Sequence, residues 1–149
     1  MGMLEKQTKK EYIEKAQDAE SVLGQVPGAV FGDDSTELGH FFGDGIYIRE
    51  MKAPKGFLLV SKLHKTNHPF FLIKGDVTVG TENGPIQYKA PMWGMTKPGT
   101  KRVMFFHEDT TWITVHATDE TDLEKIEDEV IAKTYEELPT EIKELLCLG

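Results

Sequence analysis

Cysteine is nearly absent from this chain of 149 residues: Cys147 is the only one. One thiol cannot close an internal disulfide, so no covalent staple supports the fold, and a reducing, cytoplasmic setting is expected. Nothing near Cys147 in the sequence would lower its pKa, so it is not expected to act as a nucleophile. No run of about 18 apolar residues occurs, so no membrane-spanning helix is expected. The opening MGMLEKQTKKEY lacks the apolar stretch of a secretory leader. Positive charge is also short, with 17 Lys and Arg against 25 Asp and Glu and a net charge of −8. A chain of that sign is repelled by phosphate backbones and anionic lipid, so neither a nucleic acid nor a membrane is an expected partner.

What remains is ordinary for one globular domain, residues 1–149, with 39% hydrophobic and 28% charged residues. It reads as three segments. In residues 9–26, Tyr12, Ile13, Ala16, Ala19, Val22 and Leu23 recur at spacings of three and four, which predicts an amphipathic helix stopped by Gly24 and Pro27-Gly28. In residues 37–118, Gly and Pro return every eight to twelve positions. They bound short β-rich runs: GIYIREM, GFLLVSKLH, PFFLIKGDVTVG, PIQYKAPMW, KRVMFF and TTWITVHAT. That rhythm predicts a mainly β sandwich or barrel. Several runs are apolar on both faces, so a flanking helix or a second subunit should cover the outside. Residues 119–149 turn helical again. Thr121 is the expected N-cap with Glu124 three residues on, and Leu123, Ile126, Val130 and Ile131 form the apolar face. A second helical piece follows Pro139, and the acidic EKIEDEV reads as a solvated face.

The stretch HKTNHPFFLIKGDV, residues 64–77, carries two histidines four apart. A helical metal motif would need helix on both sides of the pair. Pro69 directly after His68 forbids it, because proline disfavours the helical region for the residue before it. His64 should therefore end one strand and His68 begin the next. Alternation then puts Lys62 with His64, His68 with Phe70 and Leu72, and Trp112 and Thr114 with His116. His107 is expected at an exposed turn, and His40 just ahead of the first barrel strand. Met92, Trp93, Met95, Met104, Phe105 and Phe106 are expected mostly in the core.

Residues 55–75, followed by KPGTKR at 97–102, resemble the two sequence motifs of the cupin superfamily, G-x5-H-x-H-x3,4-E-x6-G and G-x5-P-x-G-x2-H-x3-N. Matching from Gly75 backwards places His68 at the glutamate position, His64 at the second histidine and Lys62 at the first. Matching from Gly99 places Arg102 at the histidine of the second motif. KLHKTNH, PGTKR and EDTTWITVHATDETDLEKIE also resemble small cupin-like proteins of tailed bacteriophages and prophages, a group without an assigned activity. The resemblance implies a cupin-type jelly-roll β-barrel with an N-terminal helix and a C-terminal helical tail. It also implies a homodimer, a host cytoplasm and a phage protein partner.

Family members commonly hold a divalent metal on three histidines and a glutamate. Here two of the four positions are cationic. Two chemistries follow. His64, His68 and His116 could form a three-imidazole centre for Zn, Fe, Ni or Mn. Alternatively, Lys62 and Arg102, with His64 and His68, would bind a small anionic ligand such as a carboxylate or phosphate. An ion pair of Arg102 with Glu50 or Asp76 would remove it from such a role. A non-catalytic phage scaffold protein, or a host-interaction module acting through its acidic helices, is the alternative.

Overall fold

The structure, a computed structural model, describes residues 9–24 and 36–148, and for 19–24 and 145–148 the backbone alone. The expected helix is present as α1 (Lys9–Gly24), burying Tyr12, Ile13 and Ala16. Its expected extension to Val26, and the side chains of Ala19, Val22 and Leu23, lie outside the described residues. The strands are β1 (Glu37–Gly43), β2 (Ile46–Ala53), β3 (Leu58–Val60), β4 (Leu63–His64), β5 (His68–Lys74), β6 (Asp76–Thr81), β7 (Gly84–Lys89), β8 (Met92–Thr96), β9 (Val103–Phe106) and β10 (Thr110–Ala117). After them come α2 (Leu123–Val130), β11 (Ile131–Ala132), a 3₁₀ turn at Tyr135–Glu137 and α3 (Thr140–Leu148).

The strands form a five-stranded sheet, β1-β2-β10-β5-β8, and a four-stranded sheet, β3-β9-β6-β7. All pairings in both are antiparallel. β2 pairs with β10 rather than β3, and β5 lies between β10 and β8. The chain therefore crosses between sheets at most connections, which is the winding of a double-sheet jelly roll. Alternation supplies the core between them. Phe70 and Leu72 of β5 and Trp112 of β10 face Val77, Val79, Met104 and Phe106 of the other sheet. A second core joins Tyr12 and Ile13 of α1 to Leu63 of β4, Ala132 of β11, Tyr135 and Leu138.

Several expected runs divide. PFFLIKGDVTVG becomes β5 and β6, one in each sheet, with Gly75 between them. Gly75 has φ +120°, and a Cβ there would lie 2.3 Å from Thr110 Oγ1. Only glycine can make that passage. GFLLVSKLH likewise becomes β3 and β4.

Four expectations are corrected. His40 lies within β1, a strand whose Gly-flanked ELGHFFG carries no clean alternation. The N-cap of α2 is Asp122, whose carboxylate accepts from the N–H groups of Glu124 and Lys125, in place of Thr121. Ile131 leaves the helix to pair with His64 across β11–β4. Trp93, Met95 and Phe105 point outward instead of into the core, because their neighbours Thr96, Met104 and Phe106 take the inner positions.

Candidate functional site

Two distant loops are stitched together by backbone hydrogen bonds. Ser61 N–H donates to the Arg102 carbonyl at 2.7 Å, His64 N–H to the Thr100 carbonyl at 2.9 Å, and Gly99 N–H to the His64 carbonyl at 2.8 Å. Arg102 N–H also donates to Ser61 Oγ at 2.7 Å. Residues 61–64 and 99–102 are thereby fixed side by side, although some 40 positions separate them. β11 holds the first loop from its other side through the Ile131–His64 pairing.

His68 opens β5 opposite Thr96 of β8. On the other flank Phe70 registers with Thr114, which brings His116, two residues on, level with His68. The rings of His68 and His116 lie 4.3 Å apart between centroids, and those of His64 and His68 5.0 Å apart. Thr96 and Arg102 complete the group: Arg102 Nη2 donates to Thr96 Oγ1 at 3.1 Å. The guanidinium lies over the rings of Phe70 and Trp112, 5.1 and 5.6 Å from their centroids, where the ring quadrupoles attract it. Those two rings stack at 4.5 Å. Gly94 makes this wall possible, since a Cβ there would meet Phe70 at 2.6 Å.

Four of the sequence-predicted residues, His64, His68, Arg102 and His116, therefore converge. Lys62 goes elsewhere: its ammonium pairs with Glu127 of α2. His107 is exposed and bonded to Thr78 Oγ1. The acids that could have claimed Arg102 are engaged differently. Glu50 pairs with Lys52, and Asp76 accepts from Gln87 Nε2. Among the described residues Arg102 has no carboxylate partner, although it is buried.

The histidines are held neutral at pH 7. Removal from water dominates for all three. It acts with the charges of His68 and Arg102 to hold His64 well below the usual imidazole range. Burial, then His116 and Arg102, takes His68 to about 3. Burial, then Arg49, takes His116 to about 4. Burial also lowers the Arg102 pKa, against the opposing pull of Tyr88 and Tyr12. Guanidinium nonetheless stays charged. His64 Nδ1 lies 3.1 Å from the Thr100 carbonyl. A carbonyl only accepts, so Nδ1 carries the proton and Nε2 is the lone-pair nitrogen. His116 Nε2 meets Thr114 Oγ1 at 2.9 Å, and His68 Nδ1 meets Thr66 Oγ1 at 3.3 Å. Two buried nitrogens, His68 Nε2 and His116 Nδ1, have no hydrogen-bond partner among the described residues.

Sequence reasoning missed part of this group. Tyr47 stacks on His116 at 5.6 Å, and its hydroxyl meets His40 Nδ1 at 2.6 Å. Arg49 shares the inner face of β2 with Tyr47 and registers with Thr114. The alternation of IYIRE carries both, once the outer face is assigned to Ile46, Ile48 and Glu50.

The metal of the cupin pattern does not fit. Among the described residues no group of three or more His, Cys, Asp or Glu side chains is placed to hold a metal ion. Two of the four ligand positions of that pattern are filled by cations, Lys62 and the buried Arg102.

No protein-family model and no curated protein matches the sequence. Solved structures similar to the chain include three proteins of bacterial origin. An acetylacetone dioxygenase from Acinetobacter johnsonii is 18% identical with a TM-score of 0.48, over 58% of this chain and 65%, less than two thirds, of that one. A cupin domain from Bordetella pertussis is 9% identical with a TM-score of 0.46, over 60% of this chain and 99% of that one. A cupin superfamily protein from Desulfitobacterium hafniense is 8% identical with a TM-score of 0.48, over 60% of this chain and 84% of that one.

Proposed function

We propose that this chain is a cupin-type barrel that binds a small anionic ligand, a carboxylate or a phosphate, inside the jelly roll. Arg102 is the anchor and His64, His68 and His116 are the lining. The observation that carries the reading is a buried guanidinium without a carboxylate partner among the described residues, set beside buried imidazole nitrogens without a hydrogen-bond partner among them. A buried charge is retained when a counter-charge compensates it, and an incoming anion supplies one. The planar guanidinium fork is matched to carboxylate or phosphate oxygens. The lone pair of His64 favours a ligand that also bears a hydroxyl, which that nitrogen can accept. Lys62, spent on Glu127, takes no part in this reading. The likeness to phage-encoded proteins bears on the origin of the gene and a host cytoplasm rather than on the ligand.

Calorimetric titration of the full chain with small hydroxycarboxylates and with inorganic phosphate tests the reading. Saturable binding that weakens with ionic strength, and by about tenfold or more in Arg102→Met, is expected. Stoichiometric Zn, Fe, Ni or Mn in the purified protein, lost in a His64→Ala/His68→Ala double variant, would replace the anion by a metal. No binding of either kind would leave the scaffold alternative standing.

A further inference from the structure

The polar group lies at one end of the barrel. His68 opens β5, Thr96 closes β8, and His116 stands one residue before the end of β10. Further along the same strands the interior is filled by Leu72, Trp112 and Phe106, which bars entry from that side. His68 is 2% exposed, His116 6% and Arg102 9%, so a ligand reaches them only when something at this end moves. α2 crosses that end. It follows Thr118, two residues beyond His116, and runs into β11, whose Ile131 pairs with His64. Its last turn is tied to both sides. Glu129 accepts from Thr118 Oγ1 at 3.0 Å. Opposite, Glu127 pairs with Lys62, the Asp128 carbonyl accepts from Lys65 Nζ at 2.6 Å, and the Val130 carbonyl accepts from the Lys65 N–H at 2.7 Å. Yet α2 is lightly seated. Of its eight side chains only Ile126 is buried, whereas α1 buries Tyr12, Ile13 and Ala16. A segment with few buried apolar contacts and exposed polar ties opens locally at low cost. The chain on either side is firmer: Thr118 N–H donates to the Gly45 carbonyl, and Ala132 is buried in the second core. The other connections at this end are tied by main chain, 61–64 to 99–102 by hydrogen bonds and β1 to β2 by an unbroken register.

We propose that α2 is a strap over the site, latched by the Lys62–Glu127 ion pair, and that a ligand enters and leaves when the last turn of α2 lifts between Thr118 and Ile131. The inference rests on the reading of the polar end as a binding site. It gives Lys62 a role at the mouth, as a latch rather than a ligand contact. It also gives the charge of the strap a use. α2 carries Glu124, Glu127, Asp128 and Glu129 against Lys125 alone. Closed, this acidic helix repels an anion. Lifted, it leaves the ammonium groups of Lys62 and Lys65 at the mouth, and these attract one.

Acylation of histidine by diethyl pyrocarbonate, read by peptide mass spectrometry, tests the strap on the full chain without any ligand. His68 and His116 should react far more slowly than the exposed His107. Glu127→Gln should speed their labelling about threefold, the scale of a half-exposed ion pair, with circular dichroism unchanged. Added salt should speed labelling in the wild type and not in Glu127→Gln. The exchanged pair, Lys62→Glu with Glu127→Lys, should restore slow labelling. Glu82→Gln, which breaks the Lys9–Glu82 pair on α1, should change nothing. Equal labelling of the wild type and Glu127→Gln, or equal acceleration by Glu82→Gln, would overturn the strap. The reagent is not the anion, so absent anion binding in calorimetry would defeat the proposed ligand, whereas unaltered labelling would defeat the strap.

Discussion

Along β5 the barrel interior changes its chemistry within five residues. Leu72 lies in a dry core with Trp112, Val77, Val79, Met104 and Phe106. His68, on the same face, stands with His116, Thr96 and, through Thr96, Arg102. The first end gains stability from every group it buries. The second contains a buried charge and two ring nitrogens without a hydrogen-bond partner among the described residues, each of which opposes folding. A chain that keeps such groups keeps them for something other than stability. The contrast marks the candidate site more clearly than any single residue does.

The contrast is broken most strongly from its apolar end. Phe106→Ala should destabilise the protein by about 3–5 kcal/mol through lost burial and a cavity, seen as an earlier urea midpoint. At the polar end the sign should reverse. Arg102→Met removes a buried charge that has no carboxylate partner among the described residues and keeps the aromatic wall covered, so stability should rise, on the order of 2 kcal/mol, while anion binding is lost. A fall in stability would mean that the guanidinium is structural.

Acid should act through the polar end alone. All three histidines have native pKa values below their ordinary 6.5, so the unfolded chain takes up protons first. Stability should be level above about pH 6.5. It should fall as the pH drops towards the native values, about 3 for His68 and about 4 for His116. Each histidine that protonates only on unfolding adds about 1.4 kcal/mol per pH unit. Urea midpoints between pH 7.5 and 4.5 measure the slope, and His68→Gln should flatten it. Far from both ends, Asp122→Ala removes the α2 cap and should lower stability by about 1 kcal/mol, with no change in ligand affinity or pH slope.

Much of this was legible in the sequence. Pro69 was enough to reject a helical histidine pair, and β4 and β5 stand where it placed them. The period of two in HPFFLIK assigned His68, Phe70 and Leu72 to one face. In TTWITVHAT it did the same for Trp112, Thr114 and His116. Less was legible where alternation competes with composition. MWGMT and VMFF look like core by content, yet Trp93, Met95 and Phe105 are outside, because a strand's inner face is chosen by its register with its neighbours. Lys62 could not be separated from Arg102 by residue type. What divides them is Glu127, brought alongside by the β4–β11 pairing.

By itself, the sequence determined much of the local structure: which residues of a strand share a face, and that Pro69 separates the strand ending at His64 from the one beginning at His68. These follow from dihedral restriction and a two-residue period, which act over a few neighbours. Only the tertiary structure decided which residues of the candidate site meet. His64 and His68, Arg102, and His116 come from three separate stretches, and their meeting depends on the 61–102 and 64–100 hydrogen bonds and on the β5–β10 register. Neutral imidazoles beside a buried guanidinium are likewise a product of burial, which a sequence position does not carry.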